Sequence, residues 1–260
     1  MRITKYRINT SKIRNRITIA CVSDLHGRRF ENVIEALKKT EADMILLAGD
    51  ILEVSNNFMC KRNAKAVAFL EQASKIAPVY YCFGNHEIYY SHAIKEENRV
   101  CETRILRENL EKISSLGIHL VNERYLNVTV GDNDEIYIGG LVCGEDMNPA
   151  FDKKIPNLSF IDEYGKIKAF KILLCHYPHY YEAYLKNTDF DLILSGHAHG
   201  GQWRVFGRGI YAPHQGLLPK YTSGIHDGRL IISRGVANNS KPIPRLFNPT
   251  EILQINIIPK

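Results

Sequence analysis

Long apolar runs, a C-x-x-C pair, internal repeats and low-complexity tracts are all missing from this 260-residue chain. No run approaches the roughly 18 apolar residues that span a bilayer, and the first residues lack the apolar core of a signal peptide. Of the six cysteines, Cys21, Cys82 and Cys175 fall in predicted buried strands, as small core residues of a reducing compartment do. These absences predict a cytoplasmic protein.

Acidic residues are absent from the first sixteen positions, which contain six basic ones: Arg2, Lys5, Arg7, Lys12, Arg14 and Arg16. The favoured interpretation is a solvated edge strand beginning at Arg2. Peripheral contact with anionic lipid head groups is the alternative that this pattern leaves open.

The composition, 45% hydrophobic and 24% charged, predicts one globular domain over residues 1–260. The formal net charge of +6 would help to attract a phosphate-bearing substrate. There is no long basic stripe with interleaved aromatics, so nucleic acid is not expected as a partner, and no protein partner is implied.

What the chain does contain is five clusters of imidazole, carboxylate and amide side chains. They read Asp24-Leu25-His26, Gly49-Asp50, Gly84-Asn85-His86-Glu87, Cys175-His176 and Gly196-His197-Ala198-His199. Such donors suit borderline divalent cations. Each cluster follows an apolar run typical of a strand that is buried on both faces, and functional groups of α/β sheets collect at strand ends. The clusters are therefore predicted to meet at one site.

Each cluster alone has a plainer explanation. Asp24-Leu25-His26 could be a capped turn, Gly49-Asp50 a strand-to-loop turn, and the pair His197 and His199 hydrogen-bonded loop residues. Five such clusters in order at strand ends favour a metal site over five coincidental turns.

The five clusters, in this order, resemble the signature of the calcineurin-like metallophosphoesterases. The resemblance implies an α/β (α+β) fold: a four-layer αββα sandwich of two facing mixed sheets with flanking helices. It also implies two metal ions. One would be held by Asp24, His26, Asp50 and His199, and the other by Asp50, Asn85, His176 and His197. Asp50 would bridge the two ions, and His86 would face the substrate without binding metal.

The chemistry of phosphoester hydrolysis calls for such a centre. Two cations about 3.5 to 4 Å apart can clamp the attacking and leaving oxygens, and a bridging water becomes a hydroxide near neutral pH. His86 would protonate the leaving group, whereas Glu87 would either orient His86 or support the turn. The ligands accept Mn, Fe, Zn, Co or Ni, and manganese is favoured.

Between the clusters, helices are predicted at Phe30 to Lys39, Lys61 to Lys75 and Asn98 to Leu116. Strands at Leu126 to Val130, Ile136 to Val142, Arg229 to Ser233 and Ile252 to Ile257 are expected to form a second sheet that faces the first.

Two segments are predicted to shape substrate choice. Asp146 to Tyr164 is predicted to be a loop or lid beside the site. Gly200 to Tyr221 contains Arg204 and Arg208, which are candidate substrate contacts, although a surface loop packed by its own aromatics explains the segment equally well.

The segments from Gly196 to Gln202 and from Ser233 to Ile252 are similar to a bacterial branch that includes UDP-diacylglucosamine pyrophosphate hydrolases. The predicted function is hydrolysis of a phosphodiester, pyrophosphate or phosphomonoester in a small-molecule or lipid-linked substrate. The alternatives are a nuclease or cyclic nucleotide phosphodiesterase, and a non-catalytic metal-binding scaffold.

Overall fold

The structure, a computed structural model, describes residues 1–53, 59–87, 111–131, 133–143, 155–237 and 244–260. Its strands are β1 (Arg2–Thr10), β2 (Ile17–Val22), β3 (Met44–Ala48), β4 (Val79–Cys82), β5 (His119–Leu120), β6 (Arg124–Val130), β7 (Asp134–Leu141), β8 (Phe170–Cys175), β9 (Leu192–Ser195), β10 (Arg204–Val205), β11 (Arg208–Gly209), β12 (Tyr211–Ala212), β13 (Gly216–Leu217), β14 (Gly224–His226), β15 (Leu230–Ile232) and β16 (Glu251–Pro259). The helices are α1 (Glu31–Lys38), α2 (Met59–Ser74) and α3 (Leu158–Gly165). Residues 111–115 are also helical.

Twelve of these strands form two six-stranded mixed sheets. The first sheet has the order β1-β16-β2-β3-β4-β5, in which only the β16/β2 pair is antiparallel. The second has the order β14-β15-β9-β8-β7-β6, with antiparallel pairs only at its two edges. The strands that precede the five clusters are parallel to one another within each sheet. They are β2, β3 and β4 in the first sheet and β8 and β9 in the second. Their carboxyl ends can therefore carry the functional groups to one edge.

The sheets face each other across an apolar core. Along β2, Ile19 and Cys21 point into this core, whereas Ala20 and Val22 pack under α1 and α2. Alternate side chains of a strand point to opposite faces, so a strand covered on both sides must be apolar at every position. A third cluster lies between the outer face of the second sheet and α3. These layers make the predicted αββα sandwich.

The predicted helices over 30–39 and 61–75 are α1 and α2, with small shifts at their ends. Val33, Ile34 and Leu37 are buried along one side of α1. Of the helix predicted over 98–116, residues 98–110 lie outside the described residues and residues 111–115 are helical.

The predicted strands over 126–130, 136–142 and 229–233 are β6, β7 and β15 of the second sheet. The strand predicted over 252–257 was assigned to the wrong sheet. It is β16, which lies in the first sheet between β1 and β2. Local pattern specifies a buried strand but not its neighbours. The N-terminal segment is an edge strand, β1, as favoured from the sequence.

The prediction of a loop over 146–164 was wrong for its last part. Residues 144–154 lie outside the described residues, but Leu158–Gly165 form α3. The side chain of Asn157 caps this helix by accepting a hydrogen bond from the Phe160 amide at 3.0 Å. Phe160, Ile161 and Tyr164 of α3 are buried, so the helix covers part of the second sheet.

No helix among the residues that the structure describes is both long and apolar enough to cross a membrane.

Candidate metal centre

The five clusters predicted from the sequence meet where the two sheets abut. The first sheet supplies three of them, after β2, β3 and β4, and the second supplies the two after β8 and β9. Seven side chains in these loops are buried or nearly so: Asp24, His26, Asp50, Asn85, His176, His197 and His199. Buried ionisable groups at this density require compensating charge or hydrogen bonds.

Three overlapping groups of side chains have donor atoms close enough to hold a cation. The first consists of Asp24, His26 and His199. Nε2 of His199 lies 3.3 Å from Nε2 of His26 and 3.6 Å from Oδ1 of Asp24. These donors face one another, which is the arrangement that a shared cation requires.

The second group consists of Asp50, His176 and His197. Nε2 of His176 lies 3.1 Å from Oδ2 of Asp50. On the other side of the ring, Nδ1 of His176 is 2.7 Å from the carbonyl oxygen of Ala48, to which it donates. This hydrogen bond fixes the tautomer and leaves Nε2 free to bind a cation.

The third group, His26, Asp50 and His86, joins the other two. Oδ2 of Asp50 is 3.9 Å from Nε2 of His26 and 3.8 Å from Nε2 of His86. Asp50 thus belongs to two groups and lies between the sets that the sequence assigned to two ions. The geometry permits His86 either to bind metal or to face a substrate, so its assignment as a non-ligand stays a prediction.

Five of these residues adopt the left-handed backbone region that side chains with a Cβ rarely occupy. The φ angles are 58° at Asp24, 51° at His26, 54° at Asp50, 68° at His197 and 46° at His199. Such strain costs of order 1 kcal/mol or more per residue and persists where the surrounding structure enforces it, most often at functional sites. These backbone conformations turn two side chains of the same short loop toward the centre, as at Asp24 and His26.

The glycine before Asp50 is required by both conformation and space. Gly49 has φ +86°, and a Cβ there would lie 2.6 Å from Nδ1 of His176 and 2.7 Å from the Cα of Gly84. The loops after β3 and β4 of the first sheet therefore come into direct backbone contact at this point, and the His176 ring of the second sheet packs against them. This explains why the cluster reads Gly49-Asp50 rather than another pair.

The donor set fits divalent cations. Oδ2 of Asp24 and Oδ1 of Asn85 are buried and have no hydrogen-bond partner among the described residues, although buried polar atoms in proteins are nearly always satisfied. Burial would lower the pKa of His176, but the facing Asp50 carboxylate raises it to about 9. A cation between these two side chains would take the place of that proton.

Glu53 is a buried carboxylate of the centre that the sequence analysis missed. Its Oε1 lies 2.7 Å from Nδ1 of His86, and its Oε2 lies 3.2 Å from Nδ1 of His26. Burial would raise the pKa of Glu53, but the contacts with His26 and then His86 lower it to about 2. A charged Glu53 holds a proton on Nδ1 of His86 through this hydrogen bond and turns Nε2 of that ring toward the centre, and its second oxygen lies close to the His26 ring. Its spacing of three residues from Asp50 was the only available signal.

Glu87 supports the turn, which decides between the two roles considered for it. Its carboxylate accepts hydrogen bonds from five groups: the amides of Asp50, Ile51, Leu52 and Gly84, and the hydroxyl of Tyr81. These bonds tie the loop after β3 to the loop after β4. Glu87 therefore positions Asp50 through the backbone.

His214, His179 and Tyr177 also border the centre and were not identified from the sequence. Nε2 of His197 is 2.9 Å from Nδ1 of His214, with the two rings stacked. Because Nε2 of His197 is engaged by His214, Nδ1 is the nitrogen of this ring that can bind a cation. Burial, followed by the charges of His176 and His214, lowers the pKa of His197 well below its usual value. Neutral imidazole is the form that binds metal.

The two arginines proposed as substrate contacts occupy different positions. Arg204 is half-buried, and its guanidinium donates to the carbonyl oxygen of Gly200 at 2.7 Å and to that of Gly207. It therefore holds the chain that follows His199. Arg208 is exposed on β11. Substrate contact by either residue stays a prediction.

Cys175 packs with Leu173 and Tyr177 in the outer core of the second sheet. Burial raises the pKa of its thiol to about 12, so the thiol is neutral and is not a nucleophile at physiological pH. The site is instead defined by buried histidine and carboxylate side chains at the strand ends of an αββα sandwich.

That arrangement agrees with comparisons to known proteins. The model of the family described as calcineurin-like phosphoesterase matches residues 17–201, and the chain belongs to this family. An uncharacterized metallophosphoesterase of Helicobacter pylori strain J99 is 24% identical over 282 residues, which cover 100% of this chain and 64% of the relative.

Two further relatives are similarly distant. An uncharacterized metallophosphoesterase of Aquifex aeolicus is 25% identical over 99% of this chain and 92% of its own length. The phosphodiesterase YaeI of Escherichia coli K12 is 28% identical over 72% of this chain and 62% of its own. The chain spans just under two thirds of the Helicobacter relative.

Proposed function

We propose that this protein is a phosphoric ester hydrolase that uses two divalent cations. The observation that carries the proposal is the overlap of three buried donor groups through His26 and Asp50. One ion would be held by Asp24, His26, Asp50 and His199. The other would be held by Asp50, Asn85, His176 and His197.

The charges of these residues support two cations rather than one. Asp24, Asp50 and Glu53 are buried in the same small volume, and buried carboxylates in such proximity repel one another unless cations or protons lie between them. A shared Asp50 would reduce the repulsion between two cations. When bound, the cations would withdraw charge from phosphoryl oxygens and acidify an attacking water.

His86 is suited to give a proton to the leaving oxygen. Its Nδ1 is held by Glu53, so Nε2 carries the transferable proton when the ring is charged. Burial would lower the pKa of His86, but the Asp50 carboxylate and then the Glu53 hydrogen bond raise it to about 9. A charged imidazolium would stabilise the phosphoryl group and protonate an alkoxide.

A leaving group that needs protonation favours a phosphodiester or a pyrophosphate over an activated monoester. The relative YaeI is named a phosphodiesterase, which is consistent with this preference. The resemblance of the segments 196–202 and 233–252 to UDP-diacylglucosamine pyrophosphate hydrolases would place the substrate among lipid-linked pyrophosphates. Manganese is the cation that we expect to support turnover.

The test is hydrolysis of bis(nitrophenyl) phosphate beside nitrophenyl phosphate by manganese-loaded protein, with bound metal measured in the same samples. We expect turnover with two ions per chain and a preference for the diester. Loss of turnover in Asp50→Asn would tie activity to the centre. Two bound ions with no turnover of any phosphoester would favour the non-catalytic scaffold instead.

A further inference from the structure

One segment of this chain, residues 192–250, carries a net positive charge as large as that of the whole chain. Residues 192–250 contain seven lysine and arginine residues and a single acidic residue, Asp227. The remainder contains 27 basic and 27 acidic residues, so this segment accounts for the whole formal net charge of +6. The segment includes His197 and His199, so the basic region borders the metal centre.

The same segment exposes most of the large apolar side chains found at the surface. Among the described residues twelve such side chains are exposed, and nine of them lie between Trp203 and Phe247. We define the rim as six of these: Val205, Phe206, Leu217, Leu218, Leu246 and Phe247. Exposed apolar groups that cluster in this way mark interaction sites, whereas scattered ones do not.

The rim is one continuous surface. The amide of Arg204 donates to the carbonyl oxygen of Leu246 at 3.0 Å, which joins the β10/β11 hairpin to the chain near Phe247. A groove of about 350 Å³ connects this hairpin to the next one, with Arg208, Leu218 and Lys220 in its lining. Basic and apolar side chains therefore lie beside one another on this surface.

Three bulky residues of the rim are both exposed and in the left-handed backbone region. The φ angle and relative exposure are 47° and 101% at Phe206, 50° and 72% at Leu218, and 53° and 87% at Phe247. Phe206 and Gly207 form the two-residue loop of a hairpin, where asparagine before glycine is the residue usually preferred. A phenylalanine there adds strain and gains no packing within the chain.

Hydrogen bonds connect the rim to the metal centre. The side chain of Asn248 donates to the carbonyl oxygen of His199 at 2.7 Å, and the amide of Ile210 donates to that of Gly201 at 3.1 Å. The rim is thus attached to the loop that carries two predicted ligands, and a partner bound there would lie beside the centre.

We propose that the rim docks on an anionic phospholipid bilayer. Phenylalanine and leucine side chains would enter the interface, while Arg208 would contact acidic head groups. Exposed leucines favour hydrocarbon over nucleobases, which are bound chiefly by aromatic stacking. The net positive charge of residues 192–250 is complementary to the negative charge of the phospholipid head groups. This docking is independent of the proposed hydrolysis.

The experiment is flotation of the full chain with vesicles of phosphatidylcholine, alone or with phosphatidylglycerol. We expect binding to the anionic vesicles, about tenfold or more tighter than to the neutral ones. Phe206→Asn combined with Phe247→Asn should weaken binding about tenfold or more without lowering the thermal midpoint, because asparagine tolerates the left-handed region. Arg208→Glu should also weaken vesicle binding. Leu217→Ser should weaken it too, and this change lies in strand β13 at a residue whose backbone is not left-handed.

The matched controls are Ile155→Asn, an exposed apolar residue outside the rim, and Arg7→Glu on the basic edge strand β1. Both should bind as the unmodified chain does. The proposal is overturned if anionic vesicles are not bound or if the rim variants bind normally. It is also overturned if Arg7→Glu has as large an effect as Arg208→Glu. Binding of a single-stranded oligonucleotide through the rim, with no vesicle binding, would assign the surface to nucleic acid.

Discussion

The two sheets bring opposite kinds of side chain to the metal centre. The first sheet carries the carboxylates, with Asp24, Asp50, Glu53 and Glu87 all buried in its loops. The second carries His176, His197 and His199, and the chain that follows is almost free of acidic residues. The centre is therefore negative on one side and basic on the other.

The pKa values of the histidines depend on contact with the carboxylates of the first sheet, because His176 of the second sheet faces Asp50 and its pKa is also raised to about 9. Burial would lower the pKa of His86, yet Asp50 and Glu53 raise it to about 9. Burial lowers the pKa of His199 to about 3, because the effect of Asp24 is too small to offset it. The difference shows that the contacts with Asp50 and Glu53 outweigh burial at His86, whereas the contact with Asp24 does not outweigh burial at His199.

The largest effect is expected from removing the carboxylate that faces both histidine sets. Asp50→Asn should reduce bound manganese at both positions and lower kcat/KM by about a thousandfold or more, because the charge shared by the two ions is lost. Metal content and turnover measured on the same preparation test this. Retention of two tightly bound ions would show that Asp50 does not bridge them.

The second largest loss of activity is expected from His86→Ala. We expect kcat to fall by about 10²-fold to 10⁴-fold with alkyl phosphodiesters and much less with nitrophenyl esters, whose leaving group needs no proton. Bound metal should be unchanged. If His86→Ala instead lost metal while activity per bound ion stayed normal, His86 would be a ligand, as the third donor group also permits.

A smaller loss is expected from Glu53→Gln, which keeps the shape but removes the charge that orients His26 and His86. Metal affinity or activity should fall about 10-fold to 100-fold. The partly exposed Glu71 on α2 is the matched control, and Glu71→Gln should behave as the unmodified chain does. Equal behaviour of the two variants would contradict the positioning role of Glu53.

Metal affinity should also depend on pH, with a sign set by His176. Its pKa of about 9 in the metal-free protein means that the ring is protonated at neutral pH and must lose this proton to bind metal. Affinity should therefore rise up to about tenfold per pH unit toward pH 9 and fall in mild acid. Manganese binding titrated over this range checks the slope, and a flat profile would refute it.

The smallest effect on activity is expected from Cys175→Ala. Because the thiol packs in the outer core of the second sheet, the substitution should cost about 1 kcal/mol in the free energy of unfolding and leave kcat unchanged. Denaturant unfolding and turnover, measured together, test this. A large loss of kcat in protein that remains folded would show that Cys175 takes part in the reaction despite its burial.

Much of the centre could be predicted because its local signals are strong. Apolar runs before Asp24, Asp50 and His176 predict buried strands, and functional groups follow such strands. Glu53 and His214 carried no such signal. A single acidic residue or a single histidine in a loop is usually a surface residue, and only the packing of distant loops brings these two to the rings that they contact.

The sequence by itself determined the buried strands that precede the five clusters, the helices α1 and α2, the chemical type of the ligands and the turns that carry them. Strand periodicity and glycine placement are local properties of the chain. Only the tertiary structure decided that β16 lies between β1 and β2, that α3 covers the second sheet, and that Glu53 holds His26 and His86. Sheet order and side-chain contacts arise from packing between residues that are far apart in the chain, which no local pattern records.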